Sequence, residues 1–510
     1  MAARVAQIGM TTRYINFNGL LRAANLLVGA LLAYSLLRAD TLDPSDYLDR
    51  GTLALGLVLV LQTHCALWIE RRRRDPFFLL LACWMILYFE FRIYTLAMLP
   101  FSLVFDRYPY DASDSNFALL FILVGNLCIY AGLYSVRFRD NLRVDIGRMR
   151  ARAPAGVVVL LIVAIVFAYF RGTFWTEDNV PRALNFLAIF LGPEMVILMA
   201  VVYLLLFHRS LPRAFALAIG GLIFLDICAH TLWGSRSAIM GFAQFFLLAA
   251  LAVLGTIRFK RRSVLLGALA LPAAAALLVA TFTISTYNRA ARVGAATLDV
   301  SQSLAFAREA GAGITDSPLV DLLLPPIAAR AGYFDFSAEV MAHREHYQPV
   351  FNLAAYGRSL IDNILTPGFD VFDQPKTSNA MRFIYMEAGP PSKAAVSLAY
   401  HSDQFGLYGE MYALFGYFSL FLLFLGAVGF KSLYVKLRNP NPFRLAAMRA
   451  IVLLCFIRLI DSFGIDWVVG EMIPYVAAVF IFSFLFTIRR VHAPLVPADP
   501  YHLIRATQRV

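Results

Sequence analysis

The sequence predicts an all-α polytopic membrane protein of about 12 transmembrane helices with one large, partly helical outer loop. Three observations carry this expectation. Hydrophobic residues make up 60% of the 510 and charged residues only 15%, a balance that excludes an ordinary water-soluble globular protein. The apolar residues fall in uninterrupted runs of about 18 to 25, the length that crosses the hydrocarbon core of a bilayer. Between those runs, basic and acidic connections alternate without a break.

In chain order the runs lie at 19–37, 52–69, 77–100, 117–135, 155–170, 183–207, 214–233, 238–257, 263–285, 413–430, 445–461 and 472–488. The first has Arg13 and Arg22 at its start, the charge pattern of a signal peptide, but Ser35-Leu36-Leu37-Arg38 offers no small-residue cleavage site. It reads as a retained signal anchor. One set of connections is basic: Arg71 to Arg74, Arg137 to Arg152, Arg258 to Arg262, and Lys431, Lys436, Arg438 and Arg444. The other is acidic or mixed: Asp40, Asp43, Asp46 and Asp49; Asp106, Asp111 and Asp114; Glu177 and Asp178; Asp461, Asp466 and Glu471. By the positive-inside rule both termini are cytoplasmic. This distribution accounts for the net charge of +12 without any nucleic-acid partner, leaving membrane lipids as the surroundings.

The chain divides into a first membrane block over 1–285, an outer loop over 286–412, a second membrane block over 413–488 and a cytoplasmic tail over 489–510. All five cysteines, Cys65, Cys83, Cys128, Cys228 and Cys455, fall inside the runs, so the pattern supplies neither a disulfide framework nor a thiolate metal site. The loop carries more acidic than basic residues, as an outer location requires, and two helical stretches are expected around Ser337 to His346 and Leu353 to Ile364. Pro325-Pro326, Pro367-Gly368 and Gly389-Pro390-Pro391 punctuate it. A connection of this length with patterned apolar content is expected to be functional rather than disordered. No internal repeat is evident, which weighs against repeat-built transporter folds.

Ionisable side chains in a bilayer cost roughly 3 kcal/mol each, so those present need partners or a ligand. Arg92 lies eight residues before Pro100, Arg236 sits in the turn Gly234-Ser235-Arg236-Ser237, Arg458 lies three residues before Asp461, and Arg289 and Arg292 follow the ninth run. All five reach the outer interface, where a cluster of guanidiniums suits a lipid diphosphate, held by bidentate, charge-assisted hydrogen bonds. Other roles compete: Arg458 pairing with Asp461 along its helix, and Arg289 and Arg292 contacting lipid headgroups. Glu90 and Arg92, two residues apart, point to different faces and cannot satisfy each other, so Arg92 needs another partner. A second polar set, Asp226, His230 and Glu194, has the look of a proton relay or of interhelical hydrogen bonds.

The segment from His401 to Tyr417 joins the loop to the tenth run and carries His401, Asp403 and Glu410 among three glycines. His401 or Glu410 there can take a proton from a sugar hydroxyl, while the same residues also suit an ordinary membrane-entry helix. With the Gly234-Ser235-Arg236-Ser237 turn, the stretch Gly409-Glu410-Met411-Tyr412-Ala413-Leu414-Phe415-Gly416-Tyr417 and the loop segment Arg330-Ala331-Gly332-Tyr333-Phe334-Asp335, the chain resembles the oligosaccharide repeat-unit polymerases, the Wzy-like branch of the O-antigen polymerase and ligase superfamily. The motifs are short and the resemblance otherwise rests on architecture. It implies a GT-C-like, inverting, metal-independent glycosyltransferase of the bacterial inner membrane, without cofactor, acting on undecaprenyl-diphosphate-linked oligosaccharides at the outer face. A chain-length regulator and a flippase would be its partners. On this reading Arg236, Arg92, Arg289, Arg292 and Arg458 hold the diphosphate, Arg236, Glu410 and His401 carry the chemistry, and Tyr333, Tyr356 and Tyr400 stack on sugars.

Four alternatives stay open. An O-antigen ligase handles the same lipid diphosphate with another acceptor. A GT-C enzyme using a simpler lipid-phosphate sugar would rely on Asp40, Asp43, Asp46 and Asp49 in the first outer connection. A proton-coupled transporter or flippase would use Asp226, His230 and Glu194. A non-catalytic scaffold of a polysaccharide assembly complex would need none of these residues.

Overall fold

The structure is a computed structural model that describes residues 14–38, 48–98, 111–137, 154–174, 193–207, 211–232, 237–255, 257–260, 333–365, 406–439, 441–461 and 465–485, with isolated positions between 269 and 380. The described chain is nearly all helical. Its helices are α1 (Phe17–Leu37), α2 (Arg50–Arg73), α3 (Pro76–Met98), α4 (Ala112–Ser135), α5 (Pro154–Phe174), α6 (Pro193–Phe207), α7 (Arg213–Leu232) and α8 (Ser237–Leu254). They continue with α9 (Tyr333–Ala342), α10 (Leu353–Leu365), α11 (Gly406–Lys436), α12 (Pro442–Asp461) and α13 (Ile465–Leu485). Five of them, α1, α2, α3, α4 and α11, are long and apolar enough to cross a membrane. Their outward faces are apolar too, with Leu26, Leu61, Leu127 and Phe421 exposed, a surface suited to lipid rather than water.

Helices lie over the described parts of the predicted runs; the ninth falls outside the described residues apart from Leu269, and so does the first part of the sixth, up to 192. Four details differ from expectation. Two three-residue strands, β1 (Tyr14–Asn16) and β2 (Arg258–Lys260), pair antiparallel, so the chain is not purely helical. Among the described residues, the helix at the first of the two expected loop stretches begins at Tyr333 rather than near Ser337, and α11 begins at Gly406, inside the stretch assigned to the loop. Lys431, assigned to a basic connection, is fully buried in α11, where it pairs with Asp75 and donates to the Leu133 carbonyl.

Local chemistry sets the helix starts. Asp49 caps α2 by accepting from the Thr52 N–H at 2.7 Å, and Asp111 caps α4 by accepting from the Ser113 and Asp114 N–H groups at 2.8 and 3.0 Å. Burial alone would raise the Asp49 pKa, but the hydrogen bonds donated by Thr52, Asn116 and Gly51 hold it below its ordinary value. Asp75 accepts from the Phe77 N–H at 3.1 Å just before Pro76, and the left-handed Arg74 (φ 53°) turns α2 tightly into α3.

Cross-helix contacts sort the connections by end. At one end Asn18 donates to Glu70, Arg73 donates to the Tyr134 carbonyl at 3.0 Å, Arg444 donates to Ser483 at 2.9 Å, and β1 pairs with β2. At the other, Asn116 donates to Asp49 at 3.1 Å, and Arg344, just after α9, donates to the Ala413 carbonyl at 3.1 Å. Among the described residues, the basic positions Arg73, Arg258 and Arg444 thus fall at one end and Asp49, with Arg344 of the long segment, at the other. Gly125 and Gly132, seven apart on α4, let α11 approach closely: a Cβ on Gly132 would lie 2.5 Å from the Phe424 carbonyl oxygen.

Candidate functional site

At the end carrying the long segment, α9 folds back into the bundle. Residues Phe334 through Met341 are all buried, against α4 on one side and the first turns of α11 on the other. A helix buried all round needs a partner for each polar group it carries inward. Asp335 finds one in Arg92: Nε of Arg92 donates to Oδ2 at 2.6 Å, and both side chains are fully buried. Arg92 requires a partner other than Glu90, and the loop supplies it.

On the α11 side, Gly409 meets Ser337, whose Cα would lie 3.0 Å from a glycine Cβ. Small side chains at this crossing let the two backbones nearly touch. One residue on, Glu410 is 1% exposed, and one residue back, the Tyr408 hydroxyl donates to Oδ1 of Asn126 on α4. Asn126 Nδ2 in turn donates to the Met85 sulfur at 3.2 Å. Arg344 lies over the Tyr412 ring, its Cζ 5.6 Å from the centroid, and seals the 3₁₀ turn at Gly416–Phe418, which interrupts α11.

Glu339 forms a second polar cluster on α9. Its Oε1 accepts from the Tyr347 hydroxyl at 2.9 Å, while Oε2 faces the His343 ring at 3.9 Å. Burial pushes the Glu339 carboxyl above its ordinary pKa, and the Tyr347 hydroxyl and the nearby His343 and His346 oppose that rise.

The structure brings together three of the segments singled out above: Arg92 on α3, Tyr333 to Asp335 opening α9, and Glu410 on α11. Tyr356 lies elsewhere, buried in α10 with its ring edge-to-face against Phe351 at 6.1 Å. Arg458 sits half-buried in the last turn of α12. Arg236, Arg289, Arg292, Tyr400 and His401 lie outside the described residues. Asp226 is buried in α7, the His230 side chain and the side chain of Glu194 are outside the description, and no group of three His, Cys, Asp or Glu among the described residues is placed to hold a metal.

Reading by sequence alone missed the polar network around Glu90, taken up below, and the Asn126–Tyr408 bond. Asn25, a polar amide within the first apolar run, was the available signal for the former. No family model, curated protein or solved structure matches the chain.

Proposed function

We propose that the protein is a glycosyltransferase of about 12 spans, GT-C-like in architecture, in the bacterial inner membrane with both termini cytoplasmic. It polymerises undecaprenyl-diphosphate-linked oligosaccharide repeat units into surface polysaccharide at the outer face. One observation supports this reading most: α9, which opens with Tyr333-Phe334-Asp335 of one short stretch behind the resemblance, and α11, which carries Gly409 to Tyr417 of another, pack against each other with Gly409 on Ser337. Stretches far apart in sequence that meet at a close crossing are what a shared site requires.

In this mechanism the growing chain binds through its diphosphate to Arg236, Arg289, Arg292 and Arg458. The non-reducing hydroxyl oxygen of an incoming unit attacks the anomeric carbon, the bond to the diphosphate oxygen breaks with inversion, and the proton passes to Glu410 or His401. Negative charge grows on the departing diphosphate, where each well-placed donor contributes about 3 kcal/mol of transition-state stabilisation. Arg92 enters mainly as the fastener that holds α9 beside α11, since its Nε already serves Asp335. Tyr333 and Tyr400 are the residues proposed to stack on sugar faces.

The test is a gel profile of surface polysaccharide from cells lacking the protein, restored with wild type or with Arg236→Ala. Single-repeat glycan replacing the ladder, rescued by wild type only, is expected. Full ladders accumulating on the carrier lipid would instead identify a ligase, and an unchanged profile would end the glycosyl-transfer reading.

A further inference from the structure

We propose that Glu90, with Thr63 and Tyr130, forms a site within the helical bundle for a single positive charge, carried by a proton or a small monovalent cation. The site is separate from the α9–α11 crossing and does not depend on the glycosyl-transfer reading.

Glu90 closes a π-helical turn, Ile86–Glu90, in the middle of α3. Such single π turns shift the register of one face of a helix and often mark functional positions. Here Glu90 faces α1, α2 and α4, while Arg92, two residues on, faces α9. The Glu90 side chain is fully buried, and its Oε2 accepts from Asn25 Nδ2 at 2.9 Å. Its Oε1 has no hydrogen-bond partner among the described residues, and neither do the buried hydroxyls of Thr63 and Tyr130. The Thr63 hydroxyl is nonetheless near enough to the Glu90 carboxyl and the Tyr130 phenol to interact with both, short of full hydrogen-bond geometry, so the three oxygens share one neighbourhood.

The rest of the network is oriented toward Glu90. Arg22 Nη2 lies 3.1 Å from His64 Nε2, and an arginine can only donate, so Nε2 accepts. The proton of a neutral His64 then sits on Nδ1 and is donated to Asn25 Oδ1 at 3.1 Å, leaving the Asn25 amide nitrogen to donate to Glu90 and, at 3.3 Å, to the Val60 carbonyl. Arg22 and His64 are half-exposed, so the chain runs from the bundle surface to a buried carboxyl.

No cation among the described residues lies within ion-pair distance of Glu90. Arg92 is committed to Asp335, and Arg22 is two residues away along the hydrogen-bonded chain. The other titratable groups facing this neighbourhood are Cys65 and His64 on α2, Tyr130 on α4 and, beyond it, Tyr408 on α11. A carboxylate buried in a bilayer without a cation is strongly unfavourable, so the group holds a neutralising charge. The buried oxygens of Glu90, Thr63 and Tyr130, which share one neighbourhood, are what that charge would use: a proton on Oε1 donated to a hydroxyl oxygen, or a bare cation held among the three.

The experiment is infrared difference spectroscopy of the purified full-length protein, comparing wild type, Glu90→Gln, Thr63→Val and Tyr130→Phe across pH in sodium and in potassium buffers. A carboxylic-acid C=O band that titrates in wild type and is lost in Glu90→Gln is expected. If sodium and potassium give the same titration the occupant is a proton. If sodium converts the acid band to carboxylate at fixed pH it is the cation. In either case Thr63→Val moves the midpoint by about one pH unit, the tenfold change that one hydrogen bond to a charged group represents. Should Glu90→Gln fail to fold, the Thr63 and Tyr130 variants carry the same test. Spectra that show no titrating acid band assignable to Glu90, or a band unmoved in both hydroxyl variants, would overturn the proposal.

Discussion

Separating Arg92 from Asp335 should destabilise the protein more than any other single change at the α9 crossing. Both side chains are fully buried and the Nε–Oδ2 distance is 2.6 Å, so neither group recovers hydration when its partner is removed. Asp335→Leu leaves a guanidinium in an apolar setting, and Arg92→Met leaves a carboxylate there; breaking a buried pair in this way costs about 3–5 kcal/mol. Both residues make further contacts, so neither single variant measures the pair by itself. The double variant removes both charges and should lie well above the sum of the singles, with a coupling of about 2–3 kcal/mol. Denaturant unfolding in micelles of wild type, the singles and the double measures that coupling, and protease cleavage within 333–347 reports whether α9 has come loose. If either single variant stays within about 0.5 kcal/mol of wild type, or the two effects simply add, the pair does not fasten the helix.

Two further outcomes follow, one from the packing of α4 on α11 and one from the titration of Glu339 on α9. Gly132→Ala should destabilise by about 1–3 kcal/mol, because the added Cβ meets the Phe424 carbonyl oxygen at 2.5 Å, whereas Gly429→Ala, with nothing within 4 Å, should be neutral; equal unfolding midpoints would remove the close α4–α11 approach. Glu339 has a folded-state pKa above its ordinary value, so its contribution to stability is complete below the ordinary glutamate range and is lost as pH rises through the raised value. Glu339→Gln keeps an acceptor for Tyr347 and should flatten that loss in an unfolding-against-pH series, and an unaltered pH profile would assign it to another group.

Much of the described helical layout was legible because a span must be long and apolar. The Asn18–Glu70, Arg73–Tyr134 and Asn116–Asp49 contacts join the ends that alternation pairs. The strands β1 and β2 were not legible, since three residues give no periodicity, and Lys431 was misread because charge at the end of an apolar run looks the same whether solvated or paired with Asp75. At the candidate site, the geometry of a helix showed that Glu90 and Arg92 point apart, but not that Asp335, 243 positions along the chain, completes the second of them. Pairings over such separations are set by tertiary packing, which a single sequence does not display. Tyr356 illustrates the same limit: nothing in the loop sequence displays that its ring meets Phe351 edge-to-face.

The two charges on α3 also allow the two proposals to be separated. Arg92 faces the loop helix and stands with the proposed transferase site, while Glu90 faces α1, α2 and α4 and belongs to the intramembrane network. Were the network only structural support for the transferase, Glu90→Gln would lower polymerisation in proportion to the loss of folded protein and leave no pH-dependent difference per folded molecule. Were ion binding coupled to the reaction, the variant would retain the folded amount and alter the dependence of polymerisation on the transmembrane pH or sodium gradient. A glycosyl transfer to a hydroxyl acceptor needs no such gradient, since the proton it releases at the outer face is taken up there. Gradient dependence that disappears in Glu90→Gln would therefore show that the bundle moves something across the membrane, and would favour a transporter of the lipid-linked oligosaccharide over a polymerase.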